Sequence, residues 1–238
     1  MWAIRSLERD VLWSPAMDLR ERTLGDIAAE HPAATRVFLR HKLDFCCGGK
    51  RTLEDACTQA HLDPAVLIAE LEREGSPADD RSSWLARSAA ELIDHLEAEY
   101  HVTLRRDVPS LIEAARKVER LHAERAAVPA GLAAELSAMW QELQHHMRKE
   151  EEILFPLLRR DGHGASLELP IKVMEHEHGE HAARMARVRE LTNSMQPPSY
   201  ACPTWRALYA GLIAFQKELM LHMHLENNIL FRRALATA

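Results

Sequence analysis

Residues 143–154 read LQHHMRKEEEIL and residues 219–230 read LMLHMHLENNIL, and these two stretches decide the fold. Each sets His-x-x-x-Glu in a run of apolar residues spaced by three and four, and residues four apart share one face of an α-helix. The first run is expected to continue through Ile153 and Leu157. The pairs are His146 with Glu150, and His222 with Glu226. A buried carboxylate is costly unless a positive group meets it, so the two pairs together predict a metal centre inside a helix bundle.

Two further apolar stripes each carry a histidine at the same level. One runs through Ile93, Glu97 and His101, and the other through Met174 and His178. On its own, a His-x-x-x-Glu pair is more often an ion pair on a helix surface. Four helices that bring four histidines and two glutamates to one interior instead favour a carboxylate-bridged site for two metal ions.

The types of ligand narrow the choice of metal. Mixed imidazole and carboxylate ligands suit iron, manganese or zinc. Two bridging carboxylates, with two histidines for each metal, favour two iron ions per chain in a non-haem di-iron centre. This ligand count leaves positions open on each metal, as reactivity or metal release requires.

Composition excludes several other classes of protein. The 238 residues carry a net charge of −6, so neither a nucleic acid nor an anionic membrane surface is an expected partner. No apolar run is long enough to span a membrane, and the N-terminus lacks the apolar region of a signal peptide. The four cysteines do not suggest a disulfide framework. We expect a cytoplasmic protein, with a homodimer as the default from base rates.

Glycine and proline positions divide an all-α chain into three parts. We expect an N-terminal extension over residues 1–20, a small helical domain over 21–75, and an up-down-up-down four-helix bundle over 82–238. A linker is predicted at Gly75–Pro77. The four long helices are predicted near residues 83–120, 130–159, 169–194 and 203–234. The His-x-x-x-Glu motif is the one repeat we identify.

The small domain shows its own helix signals. Thr23 is a candidate N-cap for a helix from Leu24 to Leu39, and Thr52 for a helix that reaches His61. The step Asp63-Pro64 predicts a third helix, with proline at its first position.

Between these helices lies Cys46-Cys47-Gly48-Gly49. Adjacent cysteines do not readily form a disulfide with each other, but their thiolates can bind soft metals or exchange with other thiols. Glycine permits close approach of the backbone. A helix end with two small, simply buried residues explains the motif equally well.

Taken together, these motifs resemble the repair-of-iron-centres family, bacterial hemerythrin-like di-iron proteins linked to nitrosative and oxidative stress. The resemblance covers almost all of the chain after the N-terminal extension. The matching segments are Asp44–Lys50, Leu92–His101, Lys117–Arg120, His146–Pro156, Val173–His178 and Leu225–Asn228. The double-cysteine segment is typical of the small N-terminal domain of the family.

The resemblance implies a set of site residues. Its histidine ligands and bridging glutamates are those chosen from the stripes: His101, His146, His178, His222, Glu150 and Glu226. It also implies that Glu142 and Glu177 flank a polar channel from the site to the surface, although either can equally be a solvated charge. Glu97 is expected to point inward one turn before His101, and His181 falls outside the usual ligand register; we expect both at most to hold a ligand imidazole in its tautomer.

The resemblance further implies a function. The family restores damaged iron-sulfur clusters, and its clients are damaged iron-sulfur proteins or a scaffold. We expect a non-enzymatic iron donor, with Cys46 and Cys47 as candidates for redox chemistry or iron transfer. Two alternatives use the same ligands. They are reduction of nitric oxide to nitrous oxide, which would make the protein an enzyme, and a sensor or scavenger that binds nitric oxide or oxygen.

Overall fold

The computed structural model describes residues 18–74, 84–161 and 164–236. The chain divides into two compact units, Met1–Ser83 and Trp84–Ala238. The described residues are helical, with a single isolated β-bridge between Thr23 and Thr52, so the predicted all-α fold is confirmed. The predicted linker at Gly75–Pro77, and most of the predicted extension, lie outside the described residues.

The described part of the smaller unit, residues 18–74, contains four short α-helices, and side chains cap the starts of three of them. The four are α1 (Leu24–Glu30), α2 (Ala34–Arg40), α3 (Leu53–Ala60) and α4 (Pro64–Glu74). Thr23 accepts a hydrogen bond from the backbone N–H of Asp26, and Thr52 accepts one from Asp55, each at 3.1 Å. These bonds satisfy N–H groups that a helix start leaves unpaired. Asp63 accepts from the backbone of Ala65 at 2.9 Å, as the Asp-Pro signal predicts.

The single helix predicted from Leu24 to Leu39 is wrong, because the structure ends α1 at Glu30 and begins α2 at Ala34. Pro32 supplies the reason, since a residue before proline is disfavoured in the helical region. His31 accordingly adopts φ −127° and ψ 84°.

The larger unit consists of four long helices, and three of them contain a π-helical turn. The first is α5 (Ala89–His95), π1 (Leu96–His101) and α6 (Val102–Leu121); the second is α7 (Leu132–Lys149), π2 (Glu150–Leu154) and α8 (Phe155–Asp161); the third is α9 (Glu168–Leu191); the fourth is α10 (Pro203–Leu225), π3 (Glu226–Leu230) and α11 (Phe231–Leu235). Short 3-10 turns occur at Leu19–Glu21, Trp84–Ala86 and Ala165–Leu167. Ser88 and Glu91 form a capping box at the start of α5.

Contacts between the long helices define an antiparallel bundle. Helix α6 packs against α7 and α10, and α7 packs against α9. In each pair the start of one helix meets the end of the other, as the up-down-up-down arrangement requires. The contacts that fix these directions are Arg159 with Asp94, Arg116 with Ser137, Arg184 with Glu135, His146 with Glu177 and His122 with Cys202.

The interior of the bundle is apolar above and below one polar layer. Ile93, Leu136, Leu143 and Leu212 are fully buried around the bundle axis. The polar layer contains the buried histidines and glutamates of the predicted site. Among the described helices, none is both long enough and apolar enough to cross a membrane.

Candidate metal centre

Three π-turns lie at the level of the predicted ligands. Turn π1 ends at His101, π2 begins at Glu150 and π3 begins at Glu226. A π-turn adds one residue to a helical turn, and such bulges are frequent at functional sites. Each of these helices therefore changes register next to a candidate ligand.

This change of register corrects two predictions. Leu96 and His101 lie five residues apart and are both fully buried, whereas Glu97 turns outward. The side chain of Glu97 is 37% exposed and pairs with Arg159 at 3.1 Å, so it lies at the bundle surface and not behind a ligand imidazole. On the second helix, Ile153 is 54% exposed and not in the apolar stripe.

The structure brings the six predicted ligands together in two groups that share both carboxylates. One group is His101, His222, Glu150 and Glu226; the other is His146, His178, Glu150 and Glu226. Within each group the nitrogen and oxygen donor atoms all lie within 4.8 Å of one another. Two adjacent cation positions bridged by two carboxylates have this arrangement.

Each carboxylate turns one oxygen toward each group. Glu150 Oε1 lies 3.3 Å from His146 Nε2, and Glu150 Oε2 lies 3.4 Å from His101 Nε2. Glu226 Oε1 lies 3.0 Å from His222 Nε2, and its Oε2 lies 3.1 Å from His178 Nε2. These contacts make Glu150 and Glu226 candidates for bridges between the two positions.

The burial of these groups fits bound cations. All six side chains are at most 2% exposed. Within the part of the chain that the structure describes, three carboxylate oxygens, Oε1 and Oε2 of Glu150 and Oε2 of Glu226, lie 3.1–3.4 Å from imidazole nitrogens, but these contacts lack the geometry of a hydrogen bond. Two carboxylates buried this completely are costly unless positive charge meets them.

The outer ring nitrogens of three candidate ligand histidines meet acceptors. His101 Nδ1 donates to Glu151 at 2.7 Å, His146 Nδ1 donates to Glu177 at 2.9 Å, and His178 Nδ1 lies 2.8 Å from Asn227 Oδ1. A proton held on Nδ1 leaves the Nε2 lone pair directed into the site, which is the tautomer that binds a metal.

The paired Nε2 atoms also indicate a cation. His146 Nε2 and His178 Nε2 lie 3.1 Å apart, and His101 Nε2 and His222 Nε2 lie 3.3 Å apart. In the first pair both Nδ1 atoms already have acceptors, so two Nε2 lone pairs face each other. A cation or a proton between them removes the repulsion.

The pKa values of these side chains also reflect the need for positive charge beside the buried carboxylates. Burial raises the pKa of Glu150, but the imidazoles of His146 and His101 outweigh it and hold that pKa well below its usual range. The pKa of Glu226 is also lowered, because His222 and His178 outweigh burial and the neighbouring Glu150. Burial lowers the pKa of His146, yet Glu150 and Glu177 raise it to about 10. In the metal-free protein, protons on the imidazoles therefore supply the positive charge that bound metal cations would otherwise supply.

Cationic side chains hold the outer carboxylates in place. Arg105 donates two hydrogen bonds to Glu151, at 2.8 Å each. Lys149 donates to Glu177. The hydrogen bond from His146, followed by that from Lys149, lowers the pKa of Glu177 to about 2, so Glu177 is ionised at neutral pH.

Aromatic rings cover the histidines with approximate two-fold symmetry. Phe155 stacks on His101 with ring centroids 5.9 Å apart, and Phe231 stacks on His178 at 6.0 Å. Phe155 lies five residues after Glu150, and Phe231 lies five residues after Glu226. Tyr100 stacks on His222 at 5.5 Å.

The remaining predicted residues lie at different distances from this cluster. Glu177 contacts the candidate ligand His146 directly. Glu142 is 41% exposed and forms an ion pair with Arg184, one turn before His146. The placement of Glu142 and Glu177 beside a polar channel stays a prediction. His181 is buried, and its ring is perpendicular to that of His146.

Sequence reasoning assigned no role to several residues that the structure places at the site. They are Glu151, Asn227, Tyr100, Phe155, Phe231, Arg105 and Lys149. A signal was present for four of them. Glu151 directly follows Glu150 and Asn227 directly follows Glu226, and the run Ile-Leu-Phe occurs in both helices, at 153–155 and 229–231. The repeat is therefore longer than His-x-x-x-Glu.

A second cluster of potential ligands lies in the smaller unit. Asp44, Cys46 and Cys47 bring a carboxylate and two thiols within 4.8 Å of one another. Asp44 Oδ1 accepts from the backbone N–H of Cys46 at 3.2 Å and of Cys47 at 3.0 Å. A Cβ at Gly48 would lie 2.9 Å from the backbone oxygen of Asp44, so the motif requires glycine there. A hydrogen bond with Cys47, followed by burial, raises the pKa of the Cys46 thiol.

Comparison with known proteins supplies a family context. Residues 92–234 match the hemerythrin HHE cation binding domain, and residues 20–74 match ScdA_N, a domain of unknown function (DUF542). The chain is 46% identical over 219 residues to the iron-sulfur cluster repair protein YtfE of Yersinia pseudotuberculosis, and 45% identical over 219 residues to that of Pectobacterium atrosepticum. Each alignment covers 92% of this chain and 99% of the relative.

Proposed function

Because this chain belongs to the family of hemerythrin-like iron-sulfur cluster repair proteins, we propose that it restores iron-sulfur clusters damaged by nitrosative or oxidative stress by donating iron to them. Its partners are then damaged iron-sulfur proteins or the scaffold on which clusters are rebuilt. We place this activity in the cytoplasm, where thiols such as Cys46 and Cys47 stay reduced.

The observation that carries the proposal is the pair of cation positions with shared carboxylates. We assign His101 and His222 to one iron, His146 and His178 to the other, and Glu150 and Glu226 as bridges. Imidazole and carboxylate donors suit iron, and facing helices of a bundle are a usual source of such ligands. Two iron ions per chain would supply the positive charge that the buried carboxylates require.

The chain orients its ligands before iron arrives. Glu151 and Glu177 hold the protons of His101 and His146 on Nδ1, so each Nε2 lone pair is directed at its cation position. Phe155 stacks on His101 in the same layer and limits access of water from that side. Loss of such outer contacts typically weakens metal binding 10- to 100-fold.

The ligand types also suit release of iron. The six proposed ligands are imidazoles and carboxylates, which must be deprotonated to bind a metal, so protonation competes with iron for them. Iron in clusters is held by cysteine thiolates. A donor that binds iron through nitrogen and oxygen can therefore pass it to an acceptor that offers sulfur.

We assign the first sulfur acceptor to Cys46 and Cys47, with Asp44 as a third donor. Because the pKa of the Cys46 thiol is raised, iron must displace its proton on binding. Capture of iron by the two cysteines is therefore expected to strengthen as pH rises.

Transfer of labelled iron tests the proposal. The protein is loaded with ⁵⁷Fe and mixed anaerobically with a nitric-oxide-damaged iron-sulfur protein, and Mössbauer spectra of the repaired client are recorded. We expect ⁵⁷Fe in the restored cluster, and loss of transfer in the Cys46→Ala, Cys47→Ala variant with its iron content unchanged. Cys57→Ala, at a buried cysteine outside the motif, is the matched control.

Other results would contradict iron donation, the role of the cysteines, or both. A restored cluster that contains no ⁵⁷Fe contradicts donation. Transfer that is unchanged in the double-cysteine variant contradicts the role given to the cysteines. Nitrous oxide formed at many turnovers per site, with little iron transferred, would make nitric oxide reduction the activity of the same centre.

A further inference from the structure

One buried polar side chain beside the candidate centre is neither a proposed ligand nor a hydrogen-bond partner of one. His181 on α9 is 2% exposed. Neither of its ring nitrogens has a hydrogen-bond partner among the described residues. A buried polar group without a partner typically destabilises a protein by about 1–3 kcal/mol. Such a residue persists more readily where something absent from the protein chain supplies the missing bond.

The position of His181 shows which part of the site it faces. It lies one turn after His178 on the same helix, and its ring is perpendicular to that of His146, with centroids 5.1 Å apart. Both neighbours belong to one cation position. His181 therefore stands beside the His146/His178 position and not beside the His101/His222 position.

The other half of the site carries a leucine in the equivalent place. Leu104 follows His101 by three residues, as His181 follows His178, and it is also 2% exposed. The two halves agree in their stacking rings, Phe155 and Phe231. His181 and Leu104 thus make the surroundings of the two cation positions unequal, although each position has two histidines and the same two carboxylates.

His181 does not have the geometry of a ligand. The donor atoms of the His146/His178 group lie within 4.8 Å of one another, and His181 is not a member of that group. A carboxylate-bridged site with this ligand count keeps a coordination position open for a small molecule. A nearby imidazole nitrogen can hydrogen-bond a molecule that fills it.

We propose that His181 hydrogen-bonds a small exogenous molecule, either water or a small anion, at the open position of the His146/His178 cation. This makes that position the one at which the centre binds external ligands. The inference rests on the two-iron site proposed above. His181 is here a positioning residue, which selects one of two otherwise similar sites.

Azide binding tests the inference in the full-length, iron-loaded protein. Azide is titrated into wild type and His181→Leu, which places on α9 the residue found at the equivalent position of the other half. Its dissociation constant is read from the absorption band of the oxidised centre, and iron per chain is measured in the same samples. We expect about ten-fold weaker azide binding with unchanged iron content, as loss of one hydrogen bond to a charged group predicts.

Two further variants separate a specific role from general disturbance. His181→Gln keeps a polar group that can hydrogen-bond, and should recover part of the affinity for azide. His176→Leu removes an exposed histidine from the same helix, with a side chain 78% exposed, and should bind azide like wild type.

Each other outcome overturns the inference in a recognisable way. Unchanged azide affinity in His181→Leu, with iron intact, shows that His181 does not hold the external ligand. Loss of iron from both His181→Leu and His181→Gln would make His181 a ligand of the metal instead. Wild type without two bridged irons would remove the basis of this inference and of the proposed function together.

Discussion

At the scale of single residues, the proposed centre includes contacts behind the candidate ligands as well as the candidate ligands themselves. Glu177 illustrates this, because it accepts from His146 and is held by Lys149 while only 19% exposed. Its neighbour in sequence, His178, is itself a proposed ligand. One helix thus supplies a ligand to one position and the partner of a second ligand.

We therefore expect Glu177→Gln to lower the affinity for iron by about 10- to 100-fold, because His146 loses its charged acceptor. Competition with a chelator measures the affinity. Glu180→Gln removes the same charge from an exposed position of α9 and is the control. Equal affinities in the two variants would contradict the role assigned to Glu177.

The raised pKa of His146 predicts how stability of the metal-free protein depends on pH. A base whose pKa rises on folding, here from 6.5 to about 10, stabilises the fold fully below 6.5 and loses that contribution as pH rises through about 10. His181 does not contribute to the pH dependence of stability between pH 6.5 and 10. Burial, together with the imidazoles of His146 and His178, lowers its pKa to about 3.

Urea unfolding of the metal-free protein between pH 6.5 and 10 checks this expectation. The free energy of unfolding should fall across the range in wild type and fall less in His146→Gln. A wild-type profile no steeper than that of the variant would show that the buried imidazole carries no proton in the absence of metal.

At the scale of helices, the π-turns account for what the sequence could and could not predict. The pairs His146–Glu150 and His222–Glu226 end where π2 and π3 begin, so ordinary helical spacing places their side chains correctly. Beyond that point the same spacing fails, as Ile153 shows. A π-turn shifts the register of a helix by one residue. Whether such a turn forms depends on packing between helices, so the apolar pattern along one helix does not predict it.

Two truncations on the second helix test this register. Leu154 is 2% exposed and Ile153 is 54% exposed. Leu154→Ala should therefore destabilise the protein by about 2–5 kcal/mol. Ile153→Ala should change the free energy of unfolding by less than about 0.5 kcal/mol. Chemical denaturation measures both, and the reverse order would mean that the helix continues without π2.

At the scale of the whole molecule, sequence patterns predicted the all-α fold and four long helices close to their observed bounds. They also selected six residues that the structure gathers into one cluster. The outer contacts made by Glu151 and Asn227 were not predicted, because they depend on which helices are neighbours. The helices of the smaller unit were predicted less accurately. The break at Pro32 was not predicted, because the residues on both sides of it follow a helical pattern.

Iron should stabilise the molecule as a whole, because a ligand that binds only the folded state raises the free energy of unfolding. We expect removal of iron to lower the melting temperature measured by calorimetry. The difference should persist in the Cys46→Ala, Cys47→Ala variant, whose substitutions lie in the other unit. Identical melting temperatures with and without iron would contradict a metal site built into the bundle core.

Iron content decides whether the chain holds the proposed carboxylate-bridged two-iron centre. Iron per chain and the Mössbauer spectrum are measured on anaerobically purified wild type and on the Glu150→Gln, Glu226→Gln variant. A Glu152→Gln, Glu180→Gln variant changes the charge equally at exposed positions. We expect about two coupled irons in wild type and in this control, and loss of the pair without the bridges. A single iron in wild type, or a pair that survives removal of both bridging carboxylates, would contradict the bridged centre.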